Sequence, residues 1–431
     1  SAPLVLASIL MYNKRRRNSP ADRRPGLPWG RCLLICGRAE EAAVRVAINA
    51  WFLGQETTGS GQYLAHLLPK LSALAPGDEF VLIASHEAQL AGGGSRIANC
   101  ELRVVNCALC GRSGNLAKVW FEQVGFPRAC RRLGVDLAHV PYWGSPLFPT
   151  VPTVVTVHDL IPLLLPAYRG GPLVRLYTRL VACSARRAGV VLTDSVASRR
   201  DIVHHLRIPS ERVHPVLLAA DERFCPIEAP KALSAIRERY ALPERYLLYL
   251  GGFDWRKNVP TILRAFAALG EQQAASDSIR LVVAGRLPAR GTAFFPDPRR
   301  IAQELGIEGR VIFTGWVPDE DKPALYSAAL AFVFPSWYEG FGLPPLEAMA
   351  CGTPVIASDR ASLPEVVGDG GLLVAPDDVA GLARAMARLS FDDALRATLR
   401  EKALAQAARF GWTHTAQETL KVYRAVAERT R

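Results

Sequence analysis

VFPSWYEGFGLPPLEAMACGTPVIAS, residues 333–358, decides how the rest of this chain is read. Two carboxylates, Glu339 and Glu347, stand eight positions apart, with Gly340-Phe341-Gly342 between them and Pro344-Pro345 before the second. The apolar run from Leu330 to Phe334 leads in, so the order predicts strand, glycine turn, helix. Proline in a first helical turn loses only an amide that would be orphaned anyway, so Pro344 or Pro345 suits a helix start. Such a turn presents backbone N–H groups and the positive end of a helix to an anion. Glu347 falls about one turn inside the helix and Glu339 on the loop. A sugar-nucleotide needs these parts: amides for its pyrophosphate and carboxylates to accept hydrogens from ribose and sugar hydroxyls.

Residues 339–354, EGFGLPPLEAMACGTP, resemble the Glu-x7-Glu signature of retaining glycosyltransferases of the GT-B fold, glycosyltransferase family 4. The resemblance implies an α/β fold of two Rossmann-like, doubly wound parallel-sheet domains facing a cleft. It implies transfer of a sugar from a nucleotide diphosphate sugar to a hydroxyl of a glycan, lipid-linked, in cell-surface polysaccharide synthesis. The nucleotide sugar is then a substrate, with no cofactor and no metal expected. Glu339 would contact sugar hydroxyls beside the amides of Phe341 and Gly342, with Gly340 and Leu343 in the same donor loop, and Glu347 would bind ribose. The WRKN stretch and SLPEVVGDGGLLVAP look most like O-antigen mannosyltransferases, which makes mannose the first donor guess.

At 431 residues the chain is long enough for two domains. A hydrophobic content of 49% with 21% charged residues describes a globular protein with a full core. No apolar stretch approaches the roughly 20 residues that span a bilayer. The net charge of +12 favours acidic partners, among them nucleotide phosphates and anionic lipid. No stretch resembles a nucleic-acid module, so no nucleic-acid partner is expected. Of nine cysteines, Cys32 and Cys36 lie four apart and Cys107 and Cys110 form one CxxC. Without a second pair, reduced packed thiols in a cytoplasmic enzyme are the better reading than zinc.

Residues 1–43 carry eight Lys or Arg against three Asp or Glu and read as a basic, partly disordered extension, with a membrane-touching arm as the alternative. From Val44, VRVAINAWFL, FVLIAS, ELRVVN, DLAHVP, TVVTVHD and VVLTDS recur as short apolar strands between helical stretches, defining a first, acceptor domain over 44–220. A donor domain follows over 221–411, with strands in YLLYLGG, IRLVVAG, RVIFTGWV, LAFVFPS, TPVIAS and GLLVAP. The last helix, about 412–431, is expected to cross back to the first domain, as in GT-B proteins.

In GGFDWRKN, residues 251–258, Arg256 and Lys257 sit at the mouth of a strand, where both can neutralise a pyrophosphate. The family stretch ends in the same R-K-N, and the resemblance implies that Lys257 and Arg256 hold the leaving diphosphate. Gly59 and Gly61 in TTGSGQY form a second glycine loop before a helix, resembling the family loop that approaches donor and acceptor. His158 and Asp159 end TVVTVHD, and the family's His-Asp at this place puts His158 in the cleft against the transferred sugar. Trp316 and Val317 are expected near the nucleotide base. Asp319-Glu320-Asp321 reads as acidic helix capping rather than a metal site. Arg175, Arg179 and Arg186 fall on one helix face opposite Leu176, Leu180 and Val181, a solvated face or a surface for anionic lipid or a lipid-diphosphate acceptor. The expected location is therefore the cytoplasm, peripheral to the inner face of the membrane.

Two rival classes are weighed. A dinucleotide-dependent oxidoreductase needs G-x-G-x-x-G after the first strand, and TTGSGQ lacks that spacing. A sugar-nucleotide-binding protein without catalysis would not need Glu339, Glu347, Lys257 and His158 together.

Overall fold

The computed structural model describes residues 43–55, 58–85, 99–105, 114–272 and 278–429. The basic extension up to residue 42, and the cysteines at 32, 36, 107 and 110, lie outside the described residues. Strands β1 (Arg45–Asn49), β2 (Glu79–Ala84), β3 (Cys100–Val104), β4 (Leu137–Val140), β5 (Thr153–Thr156), β6 (Val190–Thr193) and β7 (Val213–Pro215) form one sheet. Their order is β3-β2-β1-β4-β5-β6-β7, and every pairing is parallel. A second parallel sheet, ordered β10-β9-β8-β11-β12-β13, holds β8 (Tyr246–Leu250), β9 (Arg280–Ala284), β10 (Val311–Gly315), β11 (Ala331–Phe334), β12 (Val355–Ser358) and β13 (Gly371–Val374). The central strands are largely apolar because helices cover both faces; in β4, β5, β8, β11 and β12 every residue is buried.

The strand order reverses between β1 and β4 in the first sheet and between β8 and β11 in the second. Ligand crevices in open parallel sheets lie beyond the carboxyl ends of the strands at such reversals. The loops leaving β1, β8 and β11 are the stretches that carry Gly59, Arg256–Lys257 and Glu339.

Helix Trp412–Glu428 returns to the first sheet. Its Tyr423 hydroxyl meets His139 Nδ1 at 2.6 Å, and His139 Nε2 meets Thr156 Oγ1 at 2.8 Å. Thr415 donates to the Leu217 carbonyl at 2.6 Å, and Trp412 lies against Tyr63. Burial holds the His139 imidazole down to about 3, so the ring is neutral and donates from one nitrogen while accepting at the other.

Three local expectations are corrected. Asp321 occupies the N-cap position of helix Lys322–Ser327 but makes no side-chain cap; its carboxylate accepts from Arg239 Nη1 at 2.7 Å and from the Tyr240 hydroxyl at 2.6 Å. On helix Pro172–Arg187, Arg186 donates to the Leu206 carbonyl at 2.6 Å, which ends the neighbouring helix, so it is not part of a free basic face. Leu176 is exposed rather than packed, and the inward side is Thr178, Val181, Ala182, Ser184 and Ala185.

Tyr423→Phe leaves one ring nitrogen of buried His139 without its partner. It should cost about 1–3 kcal/mol, read as a lowered thermal midpoint. An unchanged midpoint would show that this bond does not secure the returning helix.

Candidate active site

The Arg256–Lys257 turn follows β8, and the Pro335–Gly342 loop follows β11; because β8 and β11 are neighbours, the two turns meet. Lys257 Nζ donates to Glu339 Oε1 at 2.8 Å, and Arg256 Nη1 pairs with Glu339 Oε2. Ser336 donates to Glu339 Oε1 at 2.6 Å. Arg256 also donates to the Tyr338 carbonyl at 2.9 Å, and its own carbonyl accepts from Trp337 N–H at 2.8 Å. Burial would push the Glu339 carboxyl up, but Lys257 and then Arg256 hold it below its ordinary value. Glu339, read from the sequence as a sugar-hydroxyl contact, is therefore also the counter-ion of the two cations.

His158 stands at the end of β5, where its Nδ1 meets Asp194 Oδ2 at 2.8 Å. Tyr63 presents its ring at right angles, with centroids 5.2 Å apart. Burial drives the imidazole down, yet the charge and hydrogen bond of Asp194 outweigh it and the pKa is raised. Asp194 ends β6, next in the sheet, so sheet order and not sequence distance makes the pair.

Helix Leu343–Ala350 begins with Pro344 and Pro345 in its first turn, so the amides its tip offers are those of Phe341, Gly342 and Leu343. Gly342 has φ of 122°, a backbone favouring glycine. Glu347 lies one turn in and accepts from the Tyr326 hydroxyl at 3.1 Å. Burial raises its pKa, with Lys322 and Tyr326 opposing. A cavity of about 260 Å³ opens beside it, with Gly59, Leu343, Glu347, Asp319, Lys322 and Trp412 among its walls.

Gly59, Leu343 and Glu347 therefore share this cavity, while Arg256, Lys257, Glu339 and Gly340 form the neighbouring charged cluster with its loop. At Gly61 a Cβ would lie 2.1 Å from the Gln55 carbonyl oxygen, so the packing of this turn requires glycine there. Trp316 is largely exposed and Val317 buried, and neither lines the cavity.

The loop of Glu339 is also where the two lobes touch. Ser195 and Ser198 donate to the Gly340 carbonyl at 2.7 and 3.0 Å, and Tyr338 donates to Asp201 Oδ2 at 2.6 Å. A Cβ on Gly340 would lie 2.7 Å from the His158 carbonyl oxygen. Ser336, Asp194, Ser195 and Ser198 carry no motif of their own; Asp194 alone had a signal, as an acid ending a predicted strand.

Two parallel doubly wound sheets, with a cavity lined from both lobes, have the GT-B architecture. Residues 234–406 match the family described as glycosyl transferases group 1, and residues 58–219 match a glycosyl transferase 4-like domain. The chain is 34% identical over 279 residues to O-antigen chain mannosyltransferase B of Escherichia coli, covering 63% of this chain and 70% of that protein. It is 34% identical over 267 residues to the serotype-specific mannosyltransferase WbdA of Escherichia coli, covering 61% of this chain but only 32% of that longer protein. Among solved structures it is similar in fold to HepE of Anabaena, in a crystal with UDP and glucose, at a TM-score of 0.66 and 18% identity over 88% of this chain and 99% of that one. The chain belongs to the group 1, family 4 glycosyltransferases.

Glu339→Gln leaves Lys257 without its carboxylate partner and Arg256 with Asp254 alone, 3.6 Å away, and should lose about 3 kcal/mol near neutral pH. A carboxyl titrating below its ordinary 4.5 stabilises the fold above that value, and the contribution is lost as pH falls through the folded pKa. Urea unfolding of both proteins across this range should show the gap closing in acid; a constant gap would contradict the pairing.

Proposed function

We propose that the protein transfers a hexose, mannose as first candidate, from a nucleotide diphosphate sugar to a hydroxyl of a glycan in polysaccharide synthesis, with retention at the anomeric carbon. The single observation that carries this reading is the cluster of Lys257, Arg256 and Glu339 at a helix tip, one turn from Glu347 and its cavity. The mannosyltransferase names of the two Escherichia coli relatives support the sugar, and the UDP and glucose bound to HepE support the donor class.

The diphosphate would lie against the amides of Phe341 to Leu343 and the two cations, displacing part of their pairing with Glu339 as it brings its own charge. Glu347 would accept from ribose hydroxyls. His158, held through Nδ1 by Asp194, would donate from its other nitrogen to the sugar. In transfer with retention, the bond from the anomeric carbon to the phosphate oxygen breaks, and the acceptor oxygen bonds on the same face. The acceptor proton passes to the departing phosphate oxygen. The chain's contribution is positioning and stabilisation of the charge that builds on that oxygen. Metal-free transfer belongs to the same proposal, since Lys257 and Arg256 supply the cationic charge.

The acceptor is proposed to be lipid-linked and the protein to rest on an anionic membrane surface. On helix Pro172–Arg187 and the turn before it, Leu173, Val174 and Leu176 are exposed beside Arg169, Arg175 and Arg179. Apolar side chains flanked by cations suit the boundary of an acidic bilayer, where each basic residue contributes about 1 kcal/mol. Among the described residues no helix is long and apolar enough to cross a membrane.

Lys257→Ala should reduce turnover by about 10²–10³, the scale for loss of one preorganised charge-stabilising group. Glu347→Ala should chiefly raise the donor KM. Release of nucleoside diphosphate across a panel of donors measures both and also separates an enzyme from a protein that only binds; wild-type rates in both variants would remove the assignment. Leu173→Asp combined with Arg175→Glu and Arg179→Glu should abolish co-sedimentation with phosphatidylglycerol vesicles. Retained binding would place any membrane contact elsewhere.

A further inference from the structure

We propose that the second lobe carries a separate saccharide-binding site, built on Trp255 and Trp337, which holds a sugar unit of a glycan chain. The inference rests on the reading of the acceptor and product as glycans. Trp255 and Trp337 are stacked, with centroids 5.9 Å apart and planes 2° from parallel. They border a cavity of about 350 Å³ whose other walls include Pro260, Pro296, Arg264 and Asp377. None of the residues placed in the charged cluster or in the cavity beside Glu347 lines it.

Trp255 is 40% exposed, one of the large hydrophobic side chains that the fold leaves at the surface. Both indoles are anchored through the backbone: Trp255 N–H donates to the Phe294 carbonyl at 2.7 Å and Trp337 N–H to the Arg256 carbonyl at 2.8 Å. The platform is therefore preorganised, and an occupant would not have to order it. Arg264 and Asp377 are both exposed. A pyranose has an apolar face of C–H groups that covers an indole and a rim of hydroxyls that both donate and accept. Guanidinium supplies donors and carboxylate supplies acceptors, one on each wall. A phosphate would meet Asp377 as a like charge, and a wholly apolar ligand would leave both charged groups unused. The volume falls near the lower end for small-ligand sites, which suits one or two sugar rings.

The two tryptophans belong to the turns that carry the charged cluster. Trp255 directly precedes Arg256, and Trp337 lies two before Glu339. A glycan seated on them is held by the same turns that position the charged cluster. A chain that has grown beyond the cleft would thus have a second point of attachment, raising its effective concentration at the acceptor position.

Ligand-observed NMR on the full chain, with manno- and gluco-oligosaccharides graded in length, tests this directly. The longer members of one series should bind, and both Trp255→Ala and the double variant Arg264→Ala/Asp377→Ala should weaken that binding about tenfold, or 1.4 kcal/mol. The double variant alters only exposed side chains, so it should keep wild-type turnover with the shortest acceptor while its KM rises for long ones. Absence of oligosaccharide binding, equal binding in all variants, or preferential occupancy by a proline-rich peptide would overturn the site. Oligosaccharide binding that depends on Trp255 in a protein that turns over no donor would sustain the site and remove the transferase reading of the cleft instead.

Discussion

One carboxylate between two cations governs the centre of this molecule. Glu339 is almost wholly buried, and it remains ionised only because Lys257 and Arg256 stand against it. Lys257 would be costly there alone, since an unpaired charge out of water costs several kcal/mol, whereas Arg256 also has Asp254 at 3.6 Å. The pairing fixes the turn after β8 against the loop after β11. That in turn places the helix tip of Leu343–Ala350 and, one turn on, Glu347 at its cavity. The same cluster is electrostatically primed for an anion: a ligand bringing negative charge can take over the cations without leaving them exposed to a dry interior.

The first sheet contributes by an analogous device. His158 is positioned by Asp194, just past the neighbouring strand, so the imidazole is held through Nδ1. Each half of the cleft thus pairs a reactive-looking side chain with a partner on an adjacent strand end. Parallel sheets make this arrangement natural, because their carboxyl ends gather residues far apart in sequence into one rim.

Much of the architecture is legible in the sequence. Strands buried on both faces are mostly apolar, and runs such as YLLYL and AFVF admit little else between turn residues. The turn holding Glu339, Gly342 and Pro344 is legible because glycine and proline answer specific backbone needs. What escaped depends on packing between distant segments. Nothing local tells that Arg186 ends another helix, that Asp321 prefers Arg239 to its own cap, or that the packing around Gly61 requires glycine. Nor does the sequence announce Glu122, wholly buried with the Tyr177 hydroxyl at 3.0 Å and Lys118 as its partners. Side-chain partners across such separations are selected by topology, which periodicity alone does not encode.

The carbonyl of Gly340 accepts from Ser195 and Ser198 of the opposite lobe, one residue from the charged cluster. Any shift of Glu339 toward a bound molecule therefore pulls on the clasp between lobes. By linkage, whatever binding does to the spread between the lobes, that spread must do to affinity in equal measure. Occupancy and hinge angle become two readings of a single equilibrium, and a replacement at Gly340, with no space for even one methyl, would register in both.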